Sequence, residues 1–184
     1  LLLDAAPEYY RDYYIVRIFT GMRTAEIDGL KRKYVDLDNG LIHIRETIVK
    51  GEMAPPKNDQ SYRSITMSSF VYDAMKRQLE VTKNRSDFVF CNTHGNPLKY
   101  HNVNRNVWYP LLERAGLERR RAYQTRHTAA TLWLASGENP EWIAKQMGHV
   151  STKMLFTVYS NYVPNLIRVD GSALEELLNS YMED

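Results

Sequence analysis

One block of strand-forming residues, set between two stretches with helical periodicity, limits what this chain can fold into. Leu41, Ile42, Ile44, Thr47, Ile48 and Val49 are β-branched or large apolar residues, and Asp38-Asn39-Gly40 before them is a turn signal. Arg63 to Met67 reads as the returning strand, so the spacing predicts a small antiparallel sheet near residues 35–67. Between the two, Lys50 to Gln60 carries Gly51, Pro55, Pro56, Asn58 and Asp59 and suits a long hairpin tip.

Helices flank this block. Pro7 after Asp4 starts one whose apolar residues are Tyr10, Tyr14, Val16, Ile18 and Phe19, and Gly21 ends it. A short second helix is expected from about Thr24 to Lys31, with Thr24 as its cap. Ser68 or Ser69 caps a helix through Val71, Met75, Leu79 and Val81, and a further helix near residues 102–115 is bent or broken by Pro110. Three short helices follow. Thr125 caps the first, with Ala129, Leu132 and Trp133 as its stripe, and Gly137 stops it. Asn139-Pro140 opens the second, because Pro fits a helix's first turn, and Gly148 stops that one. Ser151 or Thr152 starts the third, which carries Tyr159 and closes at Pro164. Leu174, Leu177, Leu178 and Tyr181 form a last amphipathic segment. The fold class is therefore α+β and mostly α.

Length bounds this to one domain, since 184 residues bury a core without metal or disulfide staples. A single cysteine, Cys91, excludes an internal disulfide and suits a reducing, cytoplasmic setting. No apolar run reaches the length of a membrane span. The net charge of +2 is too small to argue for nucleic-acid binding, so local clusters must carry that argument. The chain starts at Leu1 without an initiator Met, which predicts a piece of a longer protein.

Several cations fall at helix ends. Arg23 precedes the second helix, Tyr123-Gln124-Thr125-Arg126-His127-Thr128 opens a later one, and Met147-Gly148-His149 lies at a helix–turn junction. Exposed backbone amides and guanidinium groups there suit an anion such as phosphate.

The order and spacing of these groups resemble the tyrosine recombinases of the phage integrase type. Gly21-Met22-Arg23 with Glu26 resembles the first arginine box, and Arg126-His127-Thr128 resembles the second. Gly148-His149, with Tyr159 ten residues on, resembles the third box with its nucleophile. Pro56-Lys57-Asn58, followed by Ser61, Arg63 and Ile65, is similar to the lysine hairpin. Together the four cover residues 20 to 165, and it is the ordered set rather than any one box that identifies the family.

That resemblance implies a helical catalytic core over 1–184, with core-binding and arm-binding domains lying upstream and outside this chain. It implies DNA strand cleavage and rejoining through a 3′-phosphotyrosine on Tyr159, with site-specific recombination as the outcome. Arg23 and Arg126 would neutralise the scissile phosphate, Lys57 would protonate the leaving 5′ oxygen, and His149 would bond the phosphate. Glu26 would steady these groups, while His127 would cap and bridge at the helix start. The position that opens the second box is usually His or Lys in the family; here it is Tyr123, a hydroxyl donor to phosphate that brings no charge. No cofactor and no metal is implied, because the covalent link stores the bond energy. The implied partners are duplex recombination sites, a homotetramer on DNA with C-terminal segment exchange, and accessory DNA-bending proteins, in the cytoplasm of a bacterial host carrying a phage or prophage.

Other readings compete. A non-catalytic DNA-binding descendant would explain Tyr123. A type IB topoisomerase-like enzyme would share the chemistry. A metal-dependent nuclease would use His127 and His149 but lacks carboxylates beside them. Tyr162 rivals Tyr159 among thirteen tyrosines. Two basic runs, Lys31-Arg32-Lys33 and Arg119-Arg120-Arg121, adjoin the arginine boxes; either a solvated face or contacts to the DNA backbone would account for them.

Overall fold

The computed structural model describes residues 2–56, 58–159, 174 and 178–180. The expectations for Lys57, Tyr162, Pro164, Leu177 and Tyr181 fall outside the described residues.

Helix α1, Glu8–Thr20, runs through the middle of the fold. Residues 13–18 are all buried, so this half of the helix has no solvent face and packs against neighbours on more than one side. Gly21 ends it, and α2, Thr24–Asp28, follows. The second helix is shorter than expected, and its cap is Arg23 rather than Thr24. The reason is close approach: a Cβ on Gly29 would lie 2.8 Å from the backbone nitrogen of Ile48. The chain turns there to meet the sheet.

The expected sheet is present, with strands β1 (Val35–Asp36), β2 (Leu41–Ile44) and β5 (Arg63–Thr66) in the order β1-β2-β5, all antiparallel. Ile42 faces Ile65 and Ile44 faces Arg63 across β2 and β5, and these four are buried. The segment expected to be one long hairpin tip instead holds a second hairpin, β3 (Thr47–Val49) with β4 (Glu52–Ala54). Lys50 and Gly51, both at positive φ, make its two-residue turn.

Ser68 caps α3, Ser69–Thr82, which packs on α1. Beyond it, α4 (Tyr100–Val103), a π-helical turn (Asn104–Trp108) and α5 (Tyr109–Arg114) follow one another directly. Pro110 therefore does not break the helix. The wide turn absorbs it, placing Pro110 in the first turn of α5 where its missing N–H costs nothing.

The last described elements are α6 (Gln124–Ala135), α7 (Pro140–Met147) and α8 (Lys153–Tyr159). Tyr123, not Thr125, is the cap of α6. Thr125 is inside the helix and buried, because Arg17 of α1 reaches its hydroxyl. Leu132, expected on the apolar stripe, is exposed; Ala129, Ala130 and Leu134 are the buried positions. Ala130, Leu134, Ile143, Ala144, Met147, Leu155 and Tyr159 form a hydrophobic cluster separate from the larger one around α1, α3 and the sheet. Leu174 and Leu178 are helical and exposed.

Candidate active site

The site is built on the C-terminal end of α7. Asn139 caps the other end, its side chain accepting from the Glu141 amide at 2.8 Å. At the C-terminal end four carbonyls lack partners within the helix and carry the negative pole of its dipole. Gly148, with φ of 65°, turns the chain so that its own N–H reaches Lys145 O at 3.1 Å and that of His149 reaches Ala144 O at 2.9 Å. Arginines satisfy the rest. Arg63 Nε donates to Gln146 O at 2.6 Å, Arg126 Nη2 to Met147 O at 2.6 Å, and Arg23 Nη2 to Gly148 O at 3.1 Å. Arg126 Nη1 also donates to Gly21 O, tying the end of α1 to α6. Three guanidinium groups far apart in sequence thus meet at three successive carbonyls.

Glu26 is the counter-charge. Its carboxylate is buried and accepts from Arg63 Nη1 and Nη2 at 2.8 and 2.9 Å, and from Arg23 Nη1 and backbone N at 2.8 and 2.7 Å. Burial alone would raise its pKa, but the bonds and charge of Arg63 outweigh that and, with Arg23, hold it below the usual carboxylate range. One carboxylate against three guanidinium groups leaves surplus positive charge. Burial, followed by repulsion from Arg23, lowers the Arg126 pKa to about 10. An anion placed here relieves that repulsion.

His149 reads the same field. Burial and then Arg126 lower its pKa to about 4, so it is neutral at pH 7. Its Nε2 lies 3.1 Å from Arg126 Nη2, and guanidinium only donates. Nε2 must then accept, which puts the ring proton on Nδ1. Nδ1 is buried and has no hydrogen-bond partner among the described residues.

Tyr159, at the end of α8, is 4% exposed. Burial raises its pKa, with Arg126 opposing. His127 Nδ1 lies 2.8 Å from Tyr159 Oη. His127 follows Arg126 on α6, and its ring is aimed across at α8, so it bridges the two helices and is not a cap on the first amides of α6. Tyr123 is 44% exposed and meets His127 ring to ring, with centroids 5.4 Å apart and planes at 75°.

Two residues beyond the expected roles hold the site together. Arg63 faces inward on β5, and the period-two pattern signals this: if Ile65 points to the core, so does Arg63, and a charge there needs a partner. Arg17, 1% exposed in α1, donates from Nη2 to Thr24 Oγ1 at 2.6 Å and from Nε to Thr125 Oγ1 at 3.2 Å. It thereby braces the residues next to Arg23 and Arg126. Its Nη1 donates to Tyr13 Oη at 2.9 Å, and Tyr13 donates to Asp28 at 2.7 Å. The apolar run Tyr13-Tyr14-Ile15-Val16 with Arg17 and Ile18 was the only sequence signal for it.

The basic runs divide. Lys31 pairs with Glu46 at 2.9 Å, and Arg32 donates to Leu79 O at 2.6 Å and Thr82 Oγ1 at 3.1 Å. Both are engaged within the protein because the loop after α2 packs on the end of α3. Lys33 is exposed and sits over the Tyr34 ring, 4.7 Å from its centroid. Arg119, Arg120 and Arg121 are exposed. Arg119 stacks on Tyr109 and Arg120 pairs with Glu118 at 3.1 Å. Arg119 and Arg121, with Arg105, line an open cleft of about 390 Å³. Among the described residues no three His, Cys, Asp or Glu side chains gather as a metal site, and no helix is long and apolar enough to cross a membrane.

Known proteins resemble this chain in sequence and in fold. The chain is 30% identical to prophage integrase IntR of Escherichia coli strain K12, covering 90% of this chain and 46% of IntR. It is 31% identical to tyrosine recombinase XerH of Helicobacter pylori, covering 86% of this chain and 42% of XerH. A solved structure of the Tn1549 transposon integrase in complex with a circular intermediate DNA superposes with a TM-score of 0.75 at 23% identity, over 92% of this chain and 58% of that one. The last likeness shows the fold, and the chain spans about half the length of the curated relatives it matches. The family model described as the phage integrase family matches residues 2–164. With the fold, the boxes and these matches in agreement, the chain belongs to the phage integrase family.

Proposed function

We propose that this chain is the catalytic domain of a site-specific recombinase that cuts and rejoins duplex DNA through Tyr159. The observation that carries the reading is the convergence of Arg23, Arg126 and His149 around the end of α7, with surplus positive charge and the Tyr159 phenol on the adjoining helix. A phosphodiester resists attack because charge builds on its non-bridging oxygens. Arg23 and Arg126 offset that charge as fixed, always-ionised forks. Each preorganised donor of this kind contributes about 3 kcal/mol at the transition state. His149, which by family likeness bonds the phosphate, stands beside the Arg126 fork, with Nε2 3.1 Å from Nη2. Lys57, by family likeness, protonates the leaving 5′ oxygen. Arg63 and Glu26 hold the donors in place, and Tyr123 supports His127 through its ring.

Support for duplex DNA as partner comes from the DNA-bound Tn1549 relative and from the exposed cleft of Arg105, Arg119 and Arg121. Assembly as four copies on paired sites, upstream DNA-clamping domains, accessory bending proteins and a cytoplasmic setting complete the proposal.

A nicked substrate that loses its 5′ fragment on cleavage tests it. The wild-type protein should accumulate a covalent protein–DNA complex in EDTA, Tyr159→Phe should form none while still binding DNA, and Arg126→Ala should lose about 100-fold or more in cleavage rate. Attachment that persists in Tyr159→Phe would refute the choice of nucleophile, and a wild-type protein that binds without ever attaching would identify a non-catalytic descendant.

A further inference from the structure

A buried phenol with a raised pKa does not attack phosphorus unaided. Free tyrosine ionises near pH 10, so about one molecule in a thousand is phenolate at neutral pH, and burial lowers that fraction here. The family position that opens the second box is Tyr123, which has the same difficulty and meets its neighbour through its ring. Some other group must take the proton.

We propose that His127 is the proton acceptor for Tyr159, a catalytic role beyond the motif residues named above. The inference rests on Tyr159 being the nucleophile. His127 Nδ1 is already at hydrogen-bond distance, 2.8 Å from Oη. The imidazole lies between two rings, Tyr123 at 5.4 Å and Tyr159 at 5.6 Å, which fix its plane. Arg126 is the preceding residue of α6, so the base and a phosphate-binding fork sit on one rigid element.

The rival acceptors are occupied. His149 Nε2 accepts from Arg126. Both Glu26 oxygens are held by Arg23 and Arg63. The ionisable groups facing His127 are Arg126 and Tyr123 of α6, Tyr159 of α8 and His149 of the turn after α7. Burial and then Arg126 lower the His127 pKa, so the ring is neutral and able to accept at pH 7. A phosphate in the arginine clamp opposes Arg126, and the charge gained in the transition state opposes it further. The imidazolium thus becomes tolerable as it forms.

The step balances. The Oη–H bond breaks and the proton passes to His127 Nδ1. An Oη electron pair forms the bond to phosphorus. The bond from phosphorus to the 5′ oxygen breaks, and that oxygen takes its proton from Lys57. Rejoining reverses each transfer, and His127 returns the proton to Tyr159.

The test uses the full-length protein on the nicked substrate, with covalent-complex formation followed from pH 5 to 8. For the wild type, the rate should fall on acidification, with the midpoint of the fall below the ordinary histidine value of about 6.5, in the direction in which burial and Arg126 shift His127. His127→Asn, which offers a non-basic oxygen in place of Nδ1, should be about 100-fold slower or more and should lose that limb, with DNA affinity kept within about twofold. A 5′-bridging sulfur leaves without needing a proton, so it should rescue Lys57→Ala and not His127→Asn. Added imidazole should partly restore His127→Ala, which keeps the test open if the Asn variant fails to fold. Four results would overturn the proposal: His127→Asn at the wild-type rate, retention of the acid limb in that variant, its rescue by the bridging sulfur, or a wild-type rate that rises as pH falls, which would make the ring a donor to the phenolate. A wild-type protein that never attaches to DNA would instead refute Tyr159 as nucleophile, a separate result.

Discussion

Tyr123 occupies a motif position with a side chain that shares little chemistry with the usual histidine or lysine. Its contact with the site is a ring edge against His127, and nearly half its surface is open. The ring, rather than the hydroxyl, should therefore matter. Tyr123→Phe is expected to slow covalent-complex formation by less than about tenfold, because an aromatic pair of this kind contributes about 0.5–1.5 kcal/mol and phenylalanine preserves it. Tyr123→Ala removes the pair and should be the more damaging of the two. Single-turnover cleavage of both variants decides this; a Phe variant as impaired as the Ala variant would assign the effect to the hydroxyl.

Helix ends decide the geometry at the next scale. The last turn of α7 is where three arginines, two chain-reversing amides and His149 meet, and Gly148 makes the reversal possible. A Cβ there would stand 3.1 Å from Gln60 O and 3.2 Å from Arg63 Cδ, on a backbone with φ of 65°. Left-handed backbone costs an alanine about 1–2 kcal/mol before any clash. Gly148→Ala should thus lower Tm and also depress cleavage at temperatures well below the new Tm, because the carbonyls that Arg23, Arg63 and Arg126 grip would shift. Thermal melts paired with cleavage rates separate the two effects, and a melt shift with an unchanged rate would show that the turn tolerates the change.

Across the whole molecule, the site lies at the seam between two hydrophobic clusters. Arg23, Glu26 and Arg63 come from elements of the larger one, and Arg126, His127, His149 and Tyr159 from the α6–α8 side. Arg17 spans the seam from α1, with Asp28 near it through Tyr13. Two buried titrations in this region oppose each other. Burial raises the Asp28 pKa to about 6, so the fold binds a proton that the unfolded chain releases above about pH 4, and stability falls as pH rises through that window. His149, lowered to about 4, does the reverse: the unfolded chain takes a proton below about pH 6.5 that the fold refuses, and stability falls as pH drops. Between pH 4 and 6 the wild type should change little on this account. Asp28→Asn should unmask a loss of stability on acidification, and His149→Gln a gain. Denaturant titrations at pH 4.5 and 6.5 check both signs, and parallel pH slopes in all three proteins would contradict them.

The sequence by itself determined the α+β class, the place of the sheet, the glycine stops at Gly21 and Gly148, and the order of the boxes, because each depends on local period, turn chemistry or spacing along the chain. It also marked Arg23, Arg126, His149 and Tyr159 as candidates. Tertiary structure alone decided which cations are free: Lys31 and Arg32 turn inward, while Arg119 and Arg121 stay open. It alone set Arg63 and Arg17 among the braces of the site and aimed His127 at Tyr159. Such roles arise largely from contacts distant in sequence: His127 with Tyr159 across 32 positions, Arg63 with Glu26 across 37 and with Gln146 across 83, and Arg17 with Thr125 across 108. A pattern confined to neighbours carries no distance across a fold, and the partner that neutralises a buried charge is fixed only when the core closes around both.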